Sequence, residues 1–194
     1  MRLEVGTQAP VFKTQAIGGR IVDLAALRGR TVLLKFYRFA TCPVCNLHLH
    51  HFIRDYQVLE ALGLTTVVLF HSPAETLAET RREDAPFDLV PDPEKRIFRA
   101  FGVETGLRGL FSPTVMRDYA RALAAGYPSG MFSHDGGILG NPADFIIDGD
   151  GRIAFAHYGR QYSDTLSAAA IADIRRSIDA GQPLPASRPA VQHA

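Results

Sequence analysis

Two apolar runs, "TVLLKFY" (31–37) and "LTTVVLF" (64–70), constrain this chain more than any other feature. A strand with one wet face alternates apolar and polar residues. These runs are almost continuous, which fits strands covered on both faces. Neither approaches the ~20 apolar residues needed to span a bilayer. Strands of this kind need helices packed on both sides of their sheet, and the intervening sequence reads as helix. The spacing predicts helices over 43–61, 74–83, 93–102, 113–125 and 164–180, with one further helical turn within 24–29. Pro93 and Gly102 suit the start and end of the third helix.

Three shorter features complete the pattern. "VFKTQAIGGRIVDL" reads as a hairpin around Gly18-Gly19, and "FDLVPDP" (87–93) as a short strand entering a turn. "ADFIID" and "RIAFAHY" are joined by "GDG", so they form an antiparallel pair. A Gly-rich stretch covers 126–140. Strands alternating with helices, then a closing hairpin and helix, describe an α/β domain with a central mixed β-sheet flanked by helices. Residues 1–180 are expected to form a single domain, and 181–194 a flexible C-terminal tail with little to bury.

Composition narrows the function classes. Lys plus Arg is 21 against 20 Asp plus Glu, which gives no basic excess for nucleic acid and no acidic block for a basic partner. The opening "MRLEVGTQAP" has no apolar core of a secretory signal, so a cytoplasmic location is expected. In a reducing compartment, two close cysteines are more often catalytic or metal-binding than structural.

Both cysteines of the chain lie in "FYRFATCPVCNLHLHHF", where a buried strand stops and a helix starts. Pro43 suits the first helical position, because its missing N–H is not needed there. Cys42 then falls at the N-cap. Free N–H groups and the positive end of the helix dipole favour a thiolate at that place and lower its pKa. Cys45 sits one turn on and opens an apolar stripe through Leu49, Phe52, Tyr56 and Leu59. One thiol is thus expected near solvent, with the other half-buried behind it. Two buried core thiols are the plain alternative. A zinc site takes about four ligands; this segment offers two sulfurs and at most His48, so no metal is expected. His50 and His51 lie on other helix faces and read as solvated.

The strand–CPVC–helix arrangement resembles the thioredoxin superfamily, and within it the peroxiredoxin-like alkyl hydroperoxide reductase and thiol-specific antioxidant (AhpC/TSA) group. "VGTQAPVFKTQAIGGRIVDLAALRGRTVLLKFYR", "FDLVPDPEKRIFRAFGV" and "DFIIDGDGRIAFAHYGRQYSD" resemble that group's opening, mid-chain segment and closing hairpin. The resemblance implies a thioredoxin-like fold with an N-terminal β-hairpin. It also implies an antioxidant thiol oxidoreductase whose redox-active center is a Cys42–Cys45 disulfide pair. No cofactor is implied. The implied partners are a peroxide or disulfide substrate and a thiol electron donor, with no nucleic acid and no membrane, and a homodimer is left open.

The helper residues depart from the group. Its PxxxTxxC pattern places the attacking cysteine at Cys45, with Cys42 where the threonine belongs and Arg38 where the proline belongs. The CxxC of thioredoxin-type enzymes matches Cys42 and Cys45 directly. Their cis-proline corresponds to Pro142, where peroxiredoxins usually carry an arginine. Arg38 and Arg160 are candidates to replace that charge. The expected activity is reduction of peroxides through the cysteine pair. The alternatives are thiol-disulfide exchange on protein disulfides, or a redox sensor without turnover. Between the two thiols, local electrostatics favours Cys42 as the first attacker.

Overall fold

The two apolar runs become neighbouring parallel strands in a five-stranded sheet. A computed structural model of the chain describes residues 1–80, 85–103, 112–127 and 140–184. Strands β1 (Lys13–Gln15) and β2 (Ile21–Asp23) form the expected hairpin as a separate antiparallel pair. The main sheet contains β3 (Val32–Phe36), β4 (Thr65–Phe70), β5 (Asp88–Pro91), β6 (Ala143–Ile147) and β7 (Ile153–Tyr158), in the order β5-β4-β3-β6-β7. β3, β4 and β5 run parallel, while β6 is antiparallel to both β3 and β7. The sheet is therefore mixed, and the fold is the thioredoxin-like α/β class.

Both faces of the central strand are covered. All five residues of β3 are buried. Successive side chains of a strand point to opposite faces. Leu33 and Tyr37 accordingly join a core with Cys42, Cys45, Phe52 and Ile171. Val32, Leu34 and Phe36 join a second core with Phe98, Phe101 and Phe145. In that second core the Phe36 ring meets Phe98 at 4.9 Å and Phe145 at 5.6 Å, both edge to face. Edge-to-face pairs each add about 0.5–1.5 kcal/mol beyond their buried area.

The helices are α1 (Pro43–Arg54), α2 (Gln57–Glu60), α3 (Ala74–Thr80), α4 (Arg96–Ala100), α5 (Pro113–Ala124) and α6 (Ala168–Asp179). Three of them differ from the sequence pattern for local reasons. The helix expected over 43–61 breaks at Asp55. That residue is a weak helix former whose carboxylate is taken by Arg54 at 2.7 Å, and the next residue, Tyr56, turns inward to Phe87 at 5.0 Å. α4 starts at Arg96 instead of Pro93, because the Asp92 carboxylate accepts from the N–H groups of Arg96, Ile97 and Phe98 at 2.9, 2.8 and 3.1 Å. α6 starts at Ala168 instead of 164. Ser167 caps it by accepting from Ala170 N at 3.2 Å, while Thr165 and Leu166 hydrogen-bond a buried lysine. The end of the helix expected over 74–83, most of the Gly-rich stretch 126–140, and the tail from 185 lie outside the described residues.

Asp92 closes three N–H groups at once, so Asp92→Ala should lower unfolding free energy by about 2 kcal/mol. Urea titration followed by circular dichroism measures this. An unchanged midpoint would show that the cap is dispensable.

Candidate active site

β3 delivers the chain to a loop pinned from two directions. His71 N donates to Arg38 O at 3.0 Å, and Ala40 N donates to Ser72 Oγ at 2.7 Å, so the end of β4 holds the loop. From the helix side, Asn46 Nδ2 reaches back to the carbonyls of Ala40 (2.7 Å) and Cys42 (3.1 Å). Cys42 is the N-cap of α1 with extended backbone, φ −73° and ψ 115°, and Pro43 occupies the first turn. The cap is made by sulfur: Cys45 N donates to Cys42 Sγ at 3.3 Å.

Both thiols are free and buried, each 2% exposed. The expectation that Cys42 lies near solvent is therefore corrected. The loop from Phe39 to Thr41 leads into Cys42, held by the bonds to Ser72 and Asn46, and Phe39 and Ala40 share a buried core with both cysteines. The stripe from Cys45 through Leu49, Phe52, Tyr56 and Leu59 is buried as expected, with Tyr56 and Leu59 beyond the break.

Burial alone would raise the pKa of both thiols. For Cys42 this is outweighed by a hydrogen bond from the Cys45 thiol, by the charge of Arg38, and by the N–H groups of Cys45 and Val44, so its pKa falls to about 6. For Cys45, burial is reinforced by the hydrogen bond to Cys42 and by that thiolate's charge, with only Arg38 opposing strongly enough to note; its pKa rises well above the usual thiol value. The pair is a thiolate at Cys42 with a thiol at Cys45 donating to it.

Arg38 is 5% exposed, and its guanidinium lies 3.5 Å from the centre of the Tyr162 ring. The loop bearing Tyr162 is fixed at its far end by Asp164, whose carboxylate accepts from Arg160 N at 2.8 Å and meets His157 Nε2 at 3.2 Å. Arg160 itself is exposed, and its charge is not among those acting on either cysteine. Pro142 is buried directly before β6. Its peptide bond is trans, since none of the described residues follows a cis bond, which corrects the expected cis-proline. The chain enters β6 extended, with Pro142 O accepting from Gly159 N at 2.9 Å. Trans is also the intrinsically preferred isomer by about 0.5–1 kcal/mol. Gly159 has no room for a side chain there: a Cβ would sit 2.8 Å from Pro142 O and 2.5 Å from Asp164 O.

Residues 5–156 match the AhpC/TSA family. The chain belongs to that family. A protein of Mycobacterium tuberculosis provisionally named a peroxiredoxin is 28% identical over 158 residues, covering 81% of this chain and 86% of its own. Peroxiredoxin Q of Oryza sativa subsp. japonica is 26% identical over 109 residues, 56% of this chain and 50% of that protein. Among solved structures, the peroxidoxin BcpB of Mycobacterium tuberculosis superposes with TM-score 0.63 at 19% identity, over 94% of this chain and all of that one. The reduced 2-Cys peroxiredoxin of Plasmodium vivax gives 0.65 at 18% identity, over 91% and 82% of the two chains.

Several polar residues of this AhpC/TSA protein, other than His48, were not singled out by the sequence. Lys35, inside the apolar run, is fully buried with Nζ 2.5 Å from Asp144 Oδ1, and it also donates to Thr165 Oγ1 and Leu166 O at 2.7 and 2.8 Å. Tyr37, 1% exposed, sits beside it, with Lys35 Nζ 5.3 Å from the ring centre. His48 faces Asp118 of α5, with Nε2 3.7 Å from Oδ2. His71 and Ser72, in "HSP", are buried at the end of β4. A charged residue in a strand otherwise covered on both faces was the one available signal for the Lys35 pair.

Alkylation of the reduced protein with iodoacetamide should report the asymmetry. Cys42 labelling should rise with pH through a midpoint near 6, and Cys45 should stay unlabelled until far higher pH. Arg38→Met should move the Cys42 midpoint up by about one unit, since a nearby opposite charge favours the ionised form. Faster labelling of Cys45 would reverse the assignment.

Proposed function

We propose that this AhpC/TSA protein reduces peroxides, with Cys42 as the attacking thiolate and Cys45 as the resolving thiol. The observation that carries this reading is the split pair: Cys42 is held ionised by Cys45, Arg38 and the start of α1, while Cys45 is held as a thiol beside it. A thiolate is the nucleophile in such chemistry. Cys42 sulfur attacks one peroxide oxygen, the O–O bond breaks, and the departing alkoxide or hydroxide takes a proton. Cys42 is left as a sulfenic acid. Cys45 then attacks the Cys42 sulfur, water leaves, and a Cys42–Cys45 disulfide forms. A thiol donor reduces that disulfide and is itself oxidised.

Burial favours a peroxide over a protein disulfide as the oxidant. A thiol 2% exposed is reached by a molecule of a few atoms more readily than by the disulfide of a second folded chain. Arg38 and the N–H groups at the start of α1 supply positive charge where the departing oxygen becomes negative. A pair kept reduced between oxidation events suits a reducing, cytoplasmic compartment. The homodimer that the resemblance leaves open is tested by sedimentation of the reduced protein.

Stopped-flow mixing of reduced protein with hydrogen peroxide tests the assignment. Cys42→Ser should lower the rate constant by at least about a thousandfold. Cys45→Ser should keep peroxide consumption for one turnover and stop at a sulfenic acid that dimedone traps. The first step should speed up as pH rises through about 6 and then level off, because deprotonation of Cys42 generates the nucleophile. Retained fast reaction in Cys42→Ser would assign the attack to Cys45 instead.

A further inference from the structure

The two ends of Arg38 have different surroundings. Its backbone lies at the thiols: the Arg38 N–H points to the Cys45 sulfur, and Cys42 follows four residues on. Its side chain carries a guanidinium whose charge acts on both cysteines. An arginine stem has many rotamers, so a charge at its tip acts from a fixed place only when the side chain is held.

A holding contact comes from the segment after β7. The guanidinium carbon of Arg38 is 3.5 Å from the centre of the Tyr162 ring and 4.9 Å from that of Phe39. At 3.5 Å the cation rests on the face of the Tyr162 ring, where the aromatic quadrupole attracts it. Arg38 and Tyr162 are both buried, so water screens that attraction little. The Arg38 stem passes Gly140, where a Cβ would sit 3.8 Å from Arg38 Cγ and 3.3 Å from His71 Nε2. Burial, followed by the charges of Lys95 and Arg38, lowers the His71 pKa to about 3, so this neighbour stays neutral and does not repel the guanidinium.

The ring is presented by a turn closed at both ends. Gly159 N donates to Pro142 O at 2.9 Å, which ties the start of the turn to the entry of β6. Asp164 closes the other end. Its carboxylate accepts from Arg160 N at 2.8 Å and meets His157 Nε2 at 3.2 Å, and its own N–H donates to Gln161 O at 3.0 Å. Tyr162 lies between these bonds. We propose that Tyr162 is a positioning residue of the thiol site: the turn closed by Asp164 presents its ring as a platform that holds the Arg38 guanidinium beside the cysteine pair. Tyr162 acts through Arg38, and through its ring face. The choice of an aromatic partner has a physical reason. A carboxylate in that place would hold the guanidinium, but its negative charge would oppose the thiolate that the guanidinium favours. An aromatic face holds the cation and leaves its charge available to sulfur.

The inference rests on Cys42 as the ionised thiol, but its test needs no peroxide. Iodoacetamide labelling across pH reads the Cys42 midpoint, near 6 in the wild type. In Tyr162→Leu, which keeps apolar bulk and offers no aromatic face, the midpoint should rise by about half a unit, part of the shift of about one unit expected when the Arg38 charge itself is removed. Tyr162→Phe keeps the face and should keep the wild-type midpoint. In an Arg38→Met background, Tyr162→Leu should move the midpoint no further, because two residues acting through one contact are not additive. Asp164→Ala opens the turn, and it carries the test if Tyr162→Leu does not fold. Loss of a carboxylate by charge alone would lower a thiol midpoint, so an upward shift that vanishes in Arg38→Met marks release of the ring. An unchanged midpoint in folded Tyr162→Leu overturns the platform, as does a shift that persists in Arg38→Met or that Tyr162→Phe reproduces. An unchanged or lowered midpoint in Asp164→Ala does the same. Labelling of Cys45 ahead of Cys42 would overturn the assignment of the attacker, and the same comparisons read at Cys45 would still decide the platform. The expected shifts with no reaction toward hydrogen peroxide would instead remove the peroxidase reading and leave the platform standing.

Discussion

Lys35 and Asp144 form an ion pair at the centre of the sheet, 0% and 1% exposed at the side chain. Each would be costly alone in such a place, so each requires the other. They are direct cross-strand partners in the β3–β6 register. A slip of one residue would put Lys35 on the opposite face from its partner, against the phenylalanine core. The pair therefore selects one alignment of the antiparallel strands where apolar residues alone would tolerate several. Asp144 also accepts from Leu166 N at 3.0 Å, and Lys35 donates to Thr165 and Leu166. The same charges thus fix the approach to α6, and with it one wall beside Tyr37.

The reactive end of the molecule is assembled from pieces distant in sequence that converge on the end of β3. β4 supplies Ser72 to the loop, α1 supplies Asn46, and the segment after β7 supplies Tyr162 beneath Arg38. None of these contacts touches sulfur. Their combined effect is to fix the loop that leads into Cys42 while keeping a guanidinium close to both thiols. Burial raises the electrostatic stakes, because charge–charge interactions are stronger away from water. The difference between the two cysteines then follows from who donates to whom: the second thiol and the N–H groups of Val44 and Cys45 converge on Cys42, while at Cys45 the charge and backbone N–H of Arg38 are outweighed by burial and by the bond to the Cys42 thiolate.

Much of this was legible in the residues. Continuous apolar runs gave buried strands, Gly18-Gly19 and "GDG" gave hairpins, and Pro43 after Cys42 gave a helix start with sulfur at its cap. These signals are local, and local chemistry decides them. Most of the misses have a different cause. The break at Asp55 and the late start of α6 each depend on a distant partner, Phe87 or Lys35, while the late start of α4 comes from a local cap at Asp92, inside the turn the sequence placed before that helix. Cys42 is buried in a core with Phe39 and Ala40, and Ala40 is held by Ser72, thirty-two residues away from it. Lys35 was visible as a charge in an apolar run, but its partner Asp144 lies 109 residues on, and no periodicity links the two. Pro142 was placed correctly before β6, but its peptide bond is trans, and nothing in the local sequence marks which isomer it takes.

The sulfur cap at the start of α1 also bears on how readily the oxidised pair accepts electrons. Hydrogen bonds and positive charge aimed at Cys42 stabilise an anion that exists only when the pair is reduced. In the disulfide that charge is gone, and the Cys45 N–H and Arg38 lose the partner they favour. Whatever stabilises the reduced form selectively raises the reduction potential of the couple. On the proposed assignment, the arrangement that ionises Cys42 therefore makes the Cys42–Cys45 bond comparatively oxidising, so a modest thiol reductant suffices to reopen it.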